Sequence, residues 1–324
     1  MFRTELNIQP SKEKITLKNP VLTMGSCFAN AVGSRLANFK FQTLINPFGT
    51  VYNPVSLHTL LQLAVQKQEL PANSFLQRDE VHYNYHLHSS FSSIQKEELT
   101  QQIQATLENT RNFLTKTDVL MITYGTAWVY ELKDTGEIVA NCHKQPTSLF
   151  TKRLLSQQEV VDSFRTLCSL LQDIRPNLRI ILTLSPVRHI KDTLELNSVS
   201  KSILRSTCHQ LSTEFNNVEY FPAYEILLDD LRDYRFYKSD MLHPSGEAEG
   251  YIWSKFTSAY FDETTLSFIK KWEAIQLDLN HKAFHLQSYA HQAFLRSLKT
   301  KLMELKDRVN IEEELQALEK QIIN

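Results

Sequence analysis

The chain has 324 residues, enough for one large domain or two smaller ones, and is 42% hydrophobic, 22% charged and 10% aromatic, an ordinary globular composition. Lys+Arg number 35 against Asp+Glu 36, a formal net charge of -1, which argues against nucleic acid or an anionic membrane as the main partner because both reward a basic surface. The four cysteines, Cys27, Cys142, Cys168 and Cys208, lack C-x-x-C spacing and read as reduced thiols rather than a zinc knuckle or a disulfide framework.

The first residues, MFRTE followed by SKEK, are polar and hold no apolar core of a secretory signal. No window approaches ~18 consecutive apolar residues, so nothing is expected to span a bilayer. The expected compartment is the cytoplasm. Only seven glycines occur, far below the usual ~7%, so each is expected where backbone geometry requires it. Gly25, Gly49 and Gly125 follow runs that read as strands.

In chain order, residues 20–24 (PVLTM) form a buried strand closed by Gly25, and Phe28, Ala31, Val32 and Leu36 then recur at helical spacing over residues 27–38. Residues 41–45 are a second strand, ending at Asn46-Pro47-Phe48-Gly49, and 55–65 a helix. A polar helix over 96–113 precedes the clearest buried strand, 118–124 (DVLMITY). A helix over 156–174, a strand over 180–184, a helix over 197–215 and a short strand over 218–221 follow. Strands alternating with helices of this length predict an α/β domain with a mainly parallel sheet of about five strands.

Two stretches interrupt the rhythm. Residues 81–91 alternate, with His82, His86 and His88 on one face, and 128–141 holds an Asp-Thr-Gly turn between two strand-like pieces, a hairpin. Both read as insertions, near 76–94 and 128–141. The three histidines could offer metal ligands, but a solvated strand face is the expected reading. No metal or other cofactor is expected. Neither G-x-G-x-x-G nor G-x-x-x-x-G-K-[ST] occurs, so no nucleotide fingerprint is present.

The domain is expected to end near residue 262. Over 263–324 glycine and proline are absent, and Leu295, Leu298, Leu302, Leu305 and Val309 step by three and four. This seam predicts a helical extension packed on its own domain, with self-association as the alternative. His281, His285 and His291 are expected at its surface.

Two segments could carry chemistry. Gly25-Ser26-Cys27-Phe28-Ala29 lies where a strand gives way to a helix, and free N–H groups at such a helix start lower a thiol's pKa. Ser26 is also a good N-cap, and cysteine is commonly buried, so a purely structural role is the alternative. The second, Asp240-Met241-Leu242-His243-Pro244-Ser245, sets an acid and an imidazole three residues apart before a helix start, so the carboxylate can orient the ring. Arg188 and His189 follow Ser185-Pro186 at the carboxyl end of a buried strand, where open α/β sheets place ligands. Arg188 is expected to anchor an anion or a carbonyl.

Together the two segments resemble the SGNH/GDSL hydrolase superfamily, with a nucleophile block after strand one and a D-x-x-H block before the last helix. Laid on that pattern, Gly25 takes the glycine position, Ser26 that of the aspartate and Cys27 that of the nucleophilic serine, while Asp240 and His243 match directly. The chain resembles one branch more closely, the GSCFA domain family, whose name the segment at 25–29 spells. INPFGT (45–50), YGTAW (124–128), NCHK (141–144), SPVRH (185–189) and DMLHPS (240–245) look like its other signatures.

The resemblance covers roughly residues 15–260. It implies a three-layer, SGNH-type (flavodoxin-like) α/β fold and an acyl-ester hydrolase or acyltransferase, with Cys27, His243 and Asp240 as triad and a small-molecule or carbohydrate ester as substrate. The N–H groups of Cys27 and Gly49 would bind the oxyanion. One departure stands out: the asparagine of the third block is Ala127, with Thr126 before it, and losing such a donor costs about 100- to 1000-fold in rate. Asn46, Asn141 and His143 are candidate replacements. Ser26 as nucleophile, and a binding protein without catalysis, are the competing readings.

Overall fold

The computed structural model describes residues 4–323. Its first half runs β1 (Val21–Gly25), α1 (Cys27–Asn38), β2 (Thr43–Ile45), α2 (Pro54–Gln66), β3 (Phe75–Arg78), β4 (Val81–Asn84), α3 (Lys96–Leu114) and β5 (Val119–Tyr124). β6 (Trp128–Leu132), β7 (Ile138–Val139), β8 (Phe150–Leu154), α4 (Gln157–Ile174), β9 (Arg179–Leu184), α5 (Thr193–Glu214) and β10 (Val218–Phe221) follow. The chain closes with a short α6 (Ala223–Glu225), then α7 (Gly246–Tyr260), α8 (Glu263–Leu279), α9 (Tyr289–Met303) and α10 (Glu312–Glu319).

Five strands form one parallel sheet in the order β10-β9-β5-β1-β2. Counted along the chain this is 2-1-3-4-5, the doubly wound flavodoxin-like order, whose switch point lies between β1 and β5. Side chains alternate across the sheet. Leu22, Met24, Leu120, Ile122, Ile180 and Leu182 pack on one side against α2, α3, α4 and α5. Val21, Val119, Met121 and Ile181 pack on the other against α1, α7 and the C-terminal helices. Helix, sheet and helix make the three layers.

The expected hairpin is present as β6 and β7, and β8 adds a third antiparallel strand on the far side of β6. β3 and β4 form a separate antiparallel pair. The alternating stretch is strand only as far as Asn84. Beyond it Tyr85, His86 and Leu87 are buried in succession, because Ala140 and Asn141 N–H groups bond to the Tyr85 carbonyl and the β6–β7 lobe covers the segment. His86 is therefore not on a solvated face: it is 3% exposed, with Nε2 3.0 Å from Glu137 Oε1. Among the described residues no group of three or more His, Cys, Asp or Glu side chains is close enough to hold a metal, and no helix is long and apolar enough to cross a membrane.

The seam Leu295, Leu298, Leu302, Leu305 and Val309 is buried in the same cluster as Val32 and Leu36 of α1 and Phe256 of α7. It packs within the chain. His291, expected at the surface, is buried with its ring stacked on Phe294.

Trp272 anchors the extension. Its ring is 1% exposed and its Nε1–H donates to the Asn38 carbonyl at the end of α1, 2.7 Å away. Trp272→Ala should cost about 3–5 kcal/mol, the usual range for truncating a buried large aromatic. Urea unfolding followed by far-UV circular dichroism should show one transition moved to lower denaturant. An unmoved main transition would mean that the extension folds apart from the sheet.

Candidate active site

The first residues of α1 are set by the way β1 leaves the sheet. Gly25 has φ +130°, and a Cβ there would lie 2.1 Å from the Thr123 carbonyl oxygen of β5, so only glycine fits. Its N–H donates to Asn46 Oδ1 at 2.7 Å, and Asn46 Nδ2 donates to Asn30 Oδ1 at 2.8 Å. Ser26 is 0% exposed, and its Oγ accepts the Phe28 N–H as the cap of α1. Cys27 is half-buried at the first helical position, where its backbone N–H has no intrahelical acceptor.

The thiol is not a preformed thiolate. Burial raises the Cys27 pKa, outweighing the opposite pull of the Cys27 and Phe28 N–H groups and of the Lys201 and Lys238 charges. The lowering expected from the helix start is present but smaller than the desolvation.

Asp240 and His243 lie on the loop before α7. Asp240 Oδ1 accepts the N–H groups of Leu242 and His243, and Oδ2 is 2.7 Å from His243 Nδ1. These bonds, the His243 N–H first, hold the carboxyl down at about 2. The pair is open to solvent, with side chains 43% and 40% exposed. Met241, at φ 59°, turns the loop, and Tyr237 and Pro244 pair across its base. Arg188 braces it: the backbone N–H donates to the Leu242 carbonyl, Nη1 reaches the Met241 carbonyl at 3.4 Å, and the guanidinium stacks 4.0 Å over the Tyr237 ring. Arg188 is thus a strut of the His243 loop rather than a free anion anchor.

Other expected residues are engaged elsewhere. Gly49, at φ +74°, gives its N–H to the Asn46 carbonyl within a tight turn and is not free as an oxyanion donor. Asn46 is occupied at both ends of its amide by Gly25 and Asn30. Asn141 bonds Ser89 and the His143 N–H. His143, 2% exposed, has Nε2 2.7 Å from the Asn84 carbonyl in the β4 lobe. Thr126 Oγ1 lies 3.1 Å from Ser200 Oγ, which also accepts the Ala127 N–H at 2.7 Å.

Tyr52 and His189 are brought together, rings 5.3 Å apart edge to face. Burial raises the Tyr52 pKa and charge on Cys27 raises it further, and the adjacent Val51 N–H bonds the Gly25 carbonyl at 3.1 Å. His189 is pushed down to about 3 by burial and by the charges of Lys201 and His243.

One residue escaped the sequence reading altogether. Lys201 is 1% exposed, and its ammonium bonds the Gly125 carbonyl at 2.8 Å and the Ser185 carbonyl at 2.7 Å, at the ends of β5 and β9. Burial brings it down to about 7, while Cys27 acts the other way. The signal was available: Asn197, Lys201, Leu204, Cys208 and Leu211 step by four and three along the buried face of α5.

The GSCFA family model matches residues 20–256, and the model of the GSCFA domain protein, C-terminal domain, matches residues 272–324. No curated protein matches. Among solved structures, the crystal structure of a carbohydrate esterase family 3 from Talaromyces cellulolyticus is similar at 9% identity, over 79% of this chain and 99% of that chain, with a TM-score of 0.29. With the first family model alone spanning most of its length, the chain belongs to the GSCFA family.

Proposed function

We propose that the protein is an acyl-ester hydrolase or acyltransferase in which Cys27 is the nucleophile, His243 the general base and Asp240 the group that orients the imidazole. The observation that carries this reading is the 2.7 Å Asp240–His243 bond in a sheet-end site whose thiol is half-buried while the neighbouring Ser26 is wholly enclosed as a helix cap. That enclosure favours Cys27 over Ser26.

With Nδ1 bonded to Asp240, the free Nε2 of His243 takes the thiol proton as Sγ attacks the ester carbonyl. The S–C bond forms and the carbonyl π electrons move onto oxygen, near the Cys27 N–H. Collapse of this intermediate expels the alcohol, which leaves with the proton held by His243, and a thioester remains. Water, or a second hydroxyl, gives its proton to His243 and attacks the thioester, returning the thiol. Because burial raises the thiol pKa, proton transfer accompanies attack, as with a serine nucleophile, instead of preceding it. A small-molecule or carbohydrate O-acyl ester is the substrate class the resemblance to the superfamily favours.

Two measurements test this. Cys27→Ala, His243→Ala and Asp240→Asn should each lower hydrolysis of short p-nitrophenyl esters by ~100-fold or more, and their losses should not add, because the three act as a unit. Cys27→Ser should retain a fraction of activity at most, and Ser26→Ala, if folded, should keep most of it. Full activity in Cys27→Ala ends the proposal, and a wild-type protein inert toward every ester favours a binding protein. Separately, iodoacetamide labelling resolved by mass spectrometry should find Cys27 fastest of the four cysteines. Its rate should still climb above pH 9, because burial raises its pKa, with Cys142 following at about 11.

A further inference from the structure

With Ala127 where the superfamily pattern has a side-chain amide, the tetrahedral intermediate needs a donor besides the Cys27 N–H. The residues that sequence offered for the role are taken. Gly49 gives its N–H to Asn46, whose own amide is held by Gly25 and Asn30, and Asn141 is tied to Ser89 and His143. His143 fails for a chemical reason as well. Its Nε2 meets the Asn84 carbonyl, which only accepts, so Nε2 carries the proton and the buried Nδ1 of the neutral ring has none to donate.

Outside that set, His189 follows the carboxyl end of β9. Its backbone N–H is fixed by Asn197 Oδ1 at 2.9 Å, and its ring meets Tyr52 edge-on at 5.3 Å; the residue before Tyr52, Val51, gives its N–H to the Gly25 carbonyl at 3.1 Å, just ahead of Cys27. The preceding residue, Arg188, is bonded to the Leu242 carbonyl of the His243 loop. His189 therefore stands between the nucleophile's wall and the base's loop. Its Nε2 is fully buried and has no hydrogen-bond partner among the described residues, and a buried ring nitrogen left without a partner calls for one that arrives.

Resting on the function proposed above, we infer that His189 is a catalytic residue, a neutral imidazole whose Nε2–H donates to the oxyanion in the place left by Ala127. Burial, with Lys201 and His243 nearby, disfavours the charged ring and keeps it neutral through the working pH range. A neutral imidazole can give a hydrogen bond to an oxyanion without surrendering its proton, as in sites where a histidine held neutral polarises a carbonyl. No proton moves to or from His189. The bond is strongest while the carbonyl electrons rest on oxygen and weakens again when the thioester forms.

The test compares His189→Phe, which keeps the ring against Tyr52, with His189→Gln, which restores an N–H donor, and with Cys27→Ala as reference. The readouts are kcat and KM for p-nitrophenyl ester hydrolysis and the iodoacetamide labelling rate of Cys27. Alkylation builds no oxyanion. His189→Phe should lower kcat about 100- to 1000-fold with KM nearly unchanged, and Cys27 labelling should stay within about twofold of wild type. His189→Gln should recover at least ~10-fold of the lost kcat. A His189→Phe protein with wild-type kcat, while Cys27→Ala is inactive, overturns the donor role and leaves the thiol mechanism standing. Equal loss of kcat and of Cys27 labelling in both variants overturns it too, since the residue would then only support the fold. Should His189→Phe fail to fold, His189→Gln decides: a kcat loss of ~100-fold or less with unchanged labelling supports the role, and loss of labelling overturns it. Wild-type hydrolysis that survives Cys27→Ala overturns both readings.

Discussion

The backbone of β1 turns out of the sheet at Gly25 against the carbonyl of Thr123 on β5, and the placement of Ser26 and Cys27 at the start of α1 follows from that contact. A side chain at this point has no room, with only 2.1 Å to the neighbouring oxygen. The Gly25 N–H at this turn is buried, and a buried N–H without a partner costs about 1–3 kcal/mol. Asn46 removes that cost by bonding to it, which in turn fixes the β2–α2 loop. Ser26 must then face inward as the cap and Cys27 must begin the helix. Which side chain is left half-buried is thus set by backbone geometry two residues earlier.

Electrostatics and burial pull the thiol in opposite directions. Two backbone N–H groups and the charges of Lys201 and Lys238 favour the thiolate, yet desolvation exceeds them. The same competition acts on Lys201, where burial outweighs Cys27, while at His189 burial and the neighbouring charges act together, and each group is driven toward its neutral form. The site's inner wall is therefore a set of groups poised near neutrality, while its rim, the Asp240–His243 pair, is solvated and carries an ionised carboxylate. Charge is concentrated where water can screen it and withheld where water is scarce, which is the arrangement desolvation costs demand.

Much of this was legible in the chain. Runs such as DVLMITY at 118–124 can only be buried on both faces, so β5 and β9 and the helix α4 between them were found nearly to the residue. α1 was found because Ser26 announces its start. β8 was missed because FTKRL has apolar residues only at its ends, and its pairing with β6 is non-local. His86 was misplaced because alternation does not reveal where a strand stops. Cys27, Asp240 and His243 could be named because each lies next to a helix start with a recognisable cap. Gly49 was assigned a free N–H that its own turn consumes, a local bond invisible to residue type. The orphan nitrogen of His189 depends on what does not surround it, which no spacing encodes.

The carbonyl of Asn38 ends the helix that Cys27 begins. It receives Trp272 Nε1 at 2.7 Å and Gln276 Nε2 at 3.1 Å, and next to it Lys40 pairs with Glu314 at 2.5 Å. The helix that Cys27 begins is consequently clamped like a beam at both ends, by the sheet at Gly25 and by α8 at Asn38. Proteolytic clipping between α8 and α9 would leave Trp272 and Gln276 in place on the Asn38 carbonyl and loosen only the Lys40–Glu314 tie, so a nicked chain would keep the cap on this helix and lose its charged partner.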